Sequence, residues 1–251
     1  MTNRRSDSYP TDDGYMTDKI RLQYIEAAVQ DNLLPQNAHR MRQIVSLTAS
    51  DNRQTPIQFW QLYSVLGQDR IVAIVRNFYQ RVFSDEDWFT SVFRKVGGLG
   101  HHVNTQASMW IDVMGGGHAY HGGEFRLNFH HTHNAMALMN EKGATRWVKL
   151  MVETLDDPTL DLTDDPRVRP AINTFLTYFF AKYAEDFNFP NTAVFGETNP
   201  PVKRKINFLN MSEEAIAGLT ESELEDALTD RGVDTRLLAS KQEMVNAALR
   251  L

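Results

Sequence analysis

Cysteine is absent from this 251-residue sequence. Its absence excludes disulfide bonds, thiolate catalysis, iron–sulfur clusters and cysteine-based zinc sites. Long apolar runs are missing too, since no uninterrupted stretch approaches the roughly 20 residues that a membrane-spanning helix needs. We therefore expect neither cysteine chemistry nor a membrane span.

An excess of positive charge is also lacking, because the formal net charge is −6. Such a chain has no general attraction to nucleic acid or to anionic lipid. No apolar signal segment opens the sequence, and three aspartates at positions 7, 12 and 13 argue against a transit peptide despite the pair Arg4-Arg5. We expect a cytoplasmic protein, with an organellar matrix as the alternative.

Histidine is scarce but concentrated. Seven of the eight histidines lie between His101 and His133. Three interpretations are open at this point. In the first, the histidines are exposed on a polar surface loop. In the second, a pair such as His131 and His133 binds zinc, copper or nickel directly. In the third, single histidines face the two sides of a haem.

Nearly all periodic apolar segments have the spacing of α-helices, and none shows strand alternation with hairpin turns. The clearest amphipathic helix begins near Asp69, and three glycines at 115–117 end another helix. The predicted helices cover residues of about 20–28, 41–45, 55–67, 69–82, 101–114, 128–133, 140–155 and 166–187, and two short helices follow the capping residues Thr220 and Ser240.

The stretch from Leu62 to about Phe187 resembles the truncated haemoglobins, which are short two-over-two globins. The resemblance is carried by the following features, in the family's order and spacing: Leu62-Tyr63-x-x-x-Gly67, the helix of residues 71–82, Phe83-Ser84-Asp85-Glu86, the glycine pair Gly115-Gly116 with Tyr120 four residues later, and Trp147. It implies an all-α fold with a globin-like core that binds haem b.

The same resemblance implies roles for individual residues on the side of the haem where a ligand binds. Tyr79 takes the place of the family's distal tyrosine, and Phe93 that of an aromatic residue packed on the haem. Gln106 and His102 lie one helical turn apart on one face, so both can point at one ligand. His102 as an iron ligand is the alternative. Trp147 matches the family's pocket tryptophan.

For the proximal iron ligand, the resemblance points to His133. It lies 13 residues after Tyr120, and Phe129, four residues earlier, is expected to pack on the haem edge. His131 follows Arg126-Leu127, which also resembles the family, and is the fallback.

We expect four parts in the chain. They are a partly disordered, partly helical N-terminal extension (1–54), the haem domain (55–189), a linker (190–210) with the basic run Lys203-Arg204-Lys205, and a small helical module (211–251). The module loosely resembles SAP-type domains, which often bind nucleic acid. Its helices are acidic, so we expect protein partners for both terminal segments and no nucleic acid.

The leading functional hypothesis is a globin that reversibly binds dioxygen, nitric oxide or a related diatomic ligand. Nitric oxide dioxygenation or peroxidase-like activity would need an external reductant, because the sequence has no flavin or nicotinamide motif. The alternative is a haem-free globin-fold subunit that scaffolds a larger assembly, and a metal enzyme using His131 and His133 is a third hypothesis.

Overall fold

The computed structural model describes residues 14–199 and 206–251, and within these ranges it contains helices and no strand. The eleven α-helices of the described ranges are α1 Thr17–Gln30, α2 Arg42–Val45, α3 Tyr63–Phe83, α4 Asp87–Val96, α5 Leu99–Val113, α6 Gly123–Phe129, α7 Glu141–Leu155, α8 Val168–Asp186, α9 Glu213–Ala217, α10 Glu221–Thr229 and α11 Lys241–Ala248. None of them combines the length and the apolar character of a membrane-spanning helix. The all-α fold class is confirmed.

The described residues form two compact units, one in 14–199 and one in 206–251. Residues in the two halves of the linker expected at 190–210 belong to different units. Phe195 is buried in the first unit and the Asn199 side chain donates to the backbone carbonyl of Ile57, whereas Ile206 and Phe208 belong to the core of the second. The linker expected at 190–210 is therefore packed wherever it is described, and residues 203–205 lie outside the described ranges.

The core of the first unit is built on α3, which packs against α5 and α7. Its apolar residues at three- and four-residue spacing, from Ile71 to Val82, are buried on one face, as the sequence predicts. Gly67 interrupts the helix with φ of +69°, a left-handed conformation that glycine adopts without strain. The helix expected over 55–67 forms only in part, because a 3-10 turn at Phe59–Gln61 comes first and α3 begins at Tyr63.

The N-terminal segment belongs to the same core. In α1, Ile20, Ile25 and Ala28 are buried, and the helix packs on α5. Residues 14–54 are thus part of the first unit rather than a separate extension, while residues 1–13 are outside the described ranges.

Two elements differ from the sequence expectation near the middle of the chain. Helix α4 was not predicted, although Phe89 and Phe93 lie four residues apart on its buried face. The short helix expected at 128–133 begins earlier, at Gly123, and ends in a π-helical turn at His130–Asn134. Such turns insert one extra residue into a helix and are frequent at functional sites.

Side chains cap α7, α10 and α11, and at Thr220 and Ser240 this confirms the capping that the sequence predicts. The Asn140 side chain accepts from the Gly143 amide at 3.0 Å and so starts α7. In the second unit, Thr220 and Glu223 form a capping box at α10, and Ser240 caps α11. Leu224 and Leu228 lie in the small core of this unit.

Candidate functional site

A deep, mostly apolar cleft lies among α3, α5, the π-helical turn, α7 and α8; we call it the main cleft. Its empty volume, including the part that is open to solvent, is about 850 Å³. Its aromatic lining residues are Tyr79, Phe89, Phe93, Trp110, Trp147, Phe175, Phe179, Phe180, Tyr183 and Phe189. Three polar side chains line the same space, namely Gln106, His130 and His131.

A second cavity adjoins the main cleft between α5 and α6. The two cavities share five lining residues, which are Tyr79, Gln106, Met109, Leu127 and His130. The second cavity is more polar, since it is also lined by His101, His102 and Arg126. The Arg126 guanidinium lies over the Tyr120 ring, 5.1 Å from its centroid.

His131 lies on the wall of the main cleft, in the π-helical turn that continues α6. Its ring contacts Tyr183, with centroids 4.3 Å apart. Burial, with the neighbouring His130 acting in the same direction, lowers the pKa of His131 to about 3, so the ring is neutral at pH 7. The backbone of Leu127 acts in the opposite direction and raises the pKa of His131. His131 Nδ1 nevertheless has no hydrogen bond of normal geometry. A half-buried, neutral imidazole on the wall of a cleft is well suited to bind a metal.

His133, the proximal ligand expected from the sequence, lies outside the main cleft. Its side chain is exposed and stacks on the exposed ring of Phe129, with centroids 4.2 Å apart. Its Nδ1 lies 2.8 Å from the Thr132 hydroxyl. Phe129 lines only the second cavity. The extra residue in the π-helical turn changes which face each histidine occupies, a detail that residue counting cannot detect.

Tyr79 and Gln106 meet in the main cleft, where their side chains contact each other. The Tyr79 hydroxyl donates to Gln106 Oε1 at 3.5 Å, which is long compared with ~2.8 Å for an ordinary hydroxyl bond. Burial raises the pKa of Tyr79, so the hydroxyl keeps its proton and remains a donor. The pair can therefore offer a hydroxyl and an amide to a small polar ligand.

His102 is buried but does not line the main cleft. Its Nε2 lies 2.8 Å from the carbonyl oxygen of Phe93, which can only accept, so Nε2 carries the proton. The ring stacks on Tyr79 with centroids 5.2 Å apart and an interplanar angle of 26°. Burial lowers the pKa of His102 and keeps it neutral. Its Nε2 is thus engaged away from the main cleft, and its contact is with Tyr79.

Phe93 and Trp147 both line the main cleft. Trp147 packs between Phe78 and Phe180, with centroid distances of 4.7 and 5.1 Å. Tyr183 and its aromatic neighbours on α8 also line the main cleft, although the sequence does not single them out as site residues. The aromatic spacing of residues 172–183 was the signal, but the spacing alone does not tell a cleft wall from a packed interface.

The main cleft fits a flat, largely apolar cofactor held through an imidazole. About half of the residues that line it are aromatic, and the neutral imidazole of His131 lies on its wall. A direct metal site has less support, because the described residues include no group of three or more histidine, aspartate or glutamate side chains that could hold a metal ion.

Comparison with known proteins agrees with this geometry. The bacterial-like globin family matches residues 61–180, which run from the start of α3 to most of α8. Among curated proteins, two-on-two hemoglobin-3 of Arabidopsis thaliana is 27% identical over 109 residues, or 43% of this chain and 61% of that relative. The chain thus spans about three fifths of the relative's length. No solved structure gives a significant match.

The matched region contains four residues that line the main cleft, namely Tyr79, Gln106, His131 and Trp147. All secondary structure within the matched region is helical. Residues 61–180 of this chain thus match the bacterial-like globin family, and part of the chain is similar to a two-on-two haemoglobin.

Proposed function

We propose that the first unit binds haem b in the main cleft and uses it to bind a diatomic ligand such as dioxygen or nitric oxide reversibly. The single observation that carries this proposal is His131, a neutral imidazole that lines an aromatic cleft. The match of residues 61–180 to the bacterial-like globin family supports it.

His131 is the proposed proximal ligand, in place of His133. Nε2 of a neutral imidazole binds iron while Nδ1–H donates to a backbone carbonyl, which fixes the ring and makes the ligand more basic. Leu127, four residues before His131, supplies a backbone acceptor that already acts on this ring. His133 lacks these features, because it is exposed and stacked on Phe129.

The aromatic walls would exclude water and hold the cofactor plane. Phe93 and Trp147 lie on this wall, and the ring of Tyr183 contacts His131. Bound haem iron supplies the ability to bind a diatomic ligand. Tyr79 and Gln106 would then donate hydrogen bonds to that ligand, and each such bond contributes about 1 kcal/mol. His102 would act through Tyr79 by fixing the orientation of its ring.

The terminal segments have a separate proposed use. The second unit carries four acidic residues along α10, and Leu237 and Leu209 are about four-fifths exposed. We assign it to protein partners rather than to nucleic acid, since acidic helices repel phosphate.

The absorption spectrum of the purified chain, reconstituted with haemin, tests the haem proposal. We expect a Soret band that shifts on binding carbon monoxide after reduction. His131→Ala should abolish the shift or weaken haem binding by at least about tenfold, while the control His133→Ala should leave both unchanged.

Two outcomes would contradict the proposal. A chain that retains no Soret absorption after excess haemin is removed would exclude haem binding and favour a haem-free globin subunit. A loss confined to His133→Ala would retain haem but return the proximal ligand to His133.

A further inference from the structure

The N-terminal helix α1 contacts both helices that flank the candidate site. Helix α5 carries Gln106, and α6 leads directly into the π-helical turn that carries His131. The connection between α5 and α6 is rich in glycine, and Gly115, Gly117 and Gly122 all have positive φ. Such a connection does little by itself to fix the spacing of the two helices.

One contact of α1 is with the end of α5. Asp112, in the last turn of α5, is fully buried, and its Oδ1 accepts from the amides of Met16 and Thr17, both at 3.1 Å. The Thr17 hydroxyl donates in turn to the Asp112 backbone carbonyl. No side chain within α1 caps its own N-terminus, so the carboxylate of Asp112 takes that role.

This contact leaves no room for a side chain on the adjoining backbone. A Cβ placed on Gly14 would collide with the Asp112 carboxylate and lie 2.8 Å from the Gly117 carbonyl oxygen. The segment that enters α1 thus lies directly against the glycine-rich connection. Tyr15 adds an edge-to-face contact with His118 in the same connection, with centroids 4.8 Å apart.

The other contact of α1 is with the start of α6. Met16 is fully buried, and its sulfur would lie 3.9 Å from a Cβ placed on Gly123, the first residue of α6. One turn further along α1, Lys19 forms an ion pair with Glu124 of α6. Glu124 also pairs with Lys182 of α8 at 3.2 Å. The Lys19 side chain is half-exposed, so this pair contributes less than the buried contacts do.

We propose that the first turn of α1 is a clamp that fixes the spacing of α5 and α6, and that Asp112 is the positioning residue that holds it. The clamp acts on His131 through α6 and on Gln106 through α5, and it touches neither cofactor nor ligand. Its effect on haem retention rests on the proposed function; its effect on the order of α6 does not.

Amide hydrogen exchange of the full-length chain without haem tests the clamp first. Asp112→Ala should speed exchange in residues 123–134 by about tenfold or more, because α6 loses an external support. Exchange in α7 should not change. Asp112→Asn keeps an acceptor oxygen for the two amides and should restore exchange to within about threefold of the original rate.

Lys182→Met is the matched control, since it removes the other partner of Glu124 but leaves α1 in place. Exchange that speeds equally in α6 and α7 would show general destabilisation and overturn the proposal. Unchanged exchange in residues 123–134 would overturn it as well, and so would an Asp112→Asn variant as perturbed as Asp112→Ala.

Haem loss to excess apomyoglobin gives the second measurement. Asp112→Ala should lose haem about tenfold faster than the original chain, and Asp112→Asn should restore most of the difference. Should the chain bind no haem, the proposed function fails while the exchange experiment still decides the clamp. An unchanged rate of haem loss in a haem-binding chain would show that the clamp does not serve the site.

Discussion

At the scale of single residues, the site depends on which polar side chains line the aromatic main cleft. Tyr79 and Gln106 share the cleft with His131, whereas His133 is on the surface. Three histidines at 130, 131 and 133 thus have different surroundings within four positions. Residue type alone therefore says little here, and burial decides which imidazole is available to a buried cofactor.

Tyr79→Phe should speed the dissociation of bound dioxygen by about fivefold, because one hydrogen-bond donor to a polar ligand is lost. Stopped-flow displacement of the ligand by carbon monoxide measures this rate. Tyr24→Phe is the control, since Tyr24 is a largely buried tyrosine that packs on Phe59 and Trp60 and does not line the main cleft. Equal rates in Tyr79→Phe and the original chain would remove Tyr79 from the ligand's environment.

A charged pair joins the turn after α3 to α7, and its removal should be visible in stability. Arg146 binds the Asp85 carboxylate with two nitrogens, one of them Nε at 2.7 Å, and the Asp85 side chain is only 6% exposed. The hydrogen bond from Arg146 lowers the pKa of Asp85 below its usual value. Asp85→Asn should therefore cost about 2 kcal/mol of unfolding free energy at pH 7.

The pH dependence of that difference has a defined sign. A carboxyl group whose pKa is lowered in the folded state stabilises the fold above its unfolded pKa, and this stability is lost as pH falls through the folded pKa. Urea unfolding at pH 7 and pH 3 should show the difference between Asp85→Asn and the original chain narrowing at the lower pH. The exposed Asp161→Asn is the control, and a difference that does not depend on pH would exclude the charged pair as its cause.

At the scale of elements, glycine placement sets the break between α5 and α6. Gly115 has φ of +92°, and a Cβ there would collide with the Trp60 carbonyl oxygen. By contrast, Gly100 lies within α5, where a Cβ would meet no atom within 4 Å. The two glycines thus differ in what they contribute, although both look like helix breakers in the sequence.

Gly115→Ala should destabilise the first unit by about 2 kcal/mol, because it adds both backbone strain and a collision. Gly100→Ala should stabilise it by about 0.5–1 kcal/mol, since alanine loses less conformational freedom in a helix. Denaturant unfolding monitored by circular dichroism measures both. Similar changes in the two variants would contradict the role given to the left-handed conformation at 115.

Helix caps are the feature of these elements that the sequence predicts best. Asn140, Thr220 and Ser240 cap helices because their side chains satisfy amides within three residues, an interaction that depends only on local sequence. Helix α4 and the π-helical turn were not predicted. The first is short, and the second depends on one inserted residue that the surrounding packing tolerates.

At the scale of the whole molecule, the first unit has a continuous core of its own, and so does the small second unit. A chain truncated after Asn199 should therefore still unfold cooperatively and should bind haem as the full chain does. Thermal unfolding followed by circular dichroism, together with a haemin titration, measures both properties. Loss of the cooperative transition would show that the first unit depends on residues after 199.

The amino-acid sequence by itself determined the helical class, the helix caps, the amphipathic face of α3 and the resemblance to truncated globins. It also predicted Tyr79, Gln106, Phe93 and Trp147, all of which line the main cleft. These features follow from local periodicity, from capping chemistry and from motif order, which a sequence records directly.

Only the tertiary structure decided which histidine faces the cleft, where His102 directs its Nε2, and that α1 contacts both α5 and α6. Each depends on contacts between residues far apart in the chain, such as Asp112 with Thr17 at 3.1 Å. A one-residue change of helical register turns a side chain by about 100°, so spacing in the sequence cannot separate His131 from His133. Tertiary packing fixes the helical register of residues 130–134, and this register decides which imidazole faces the main cleft.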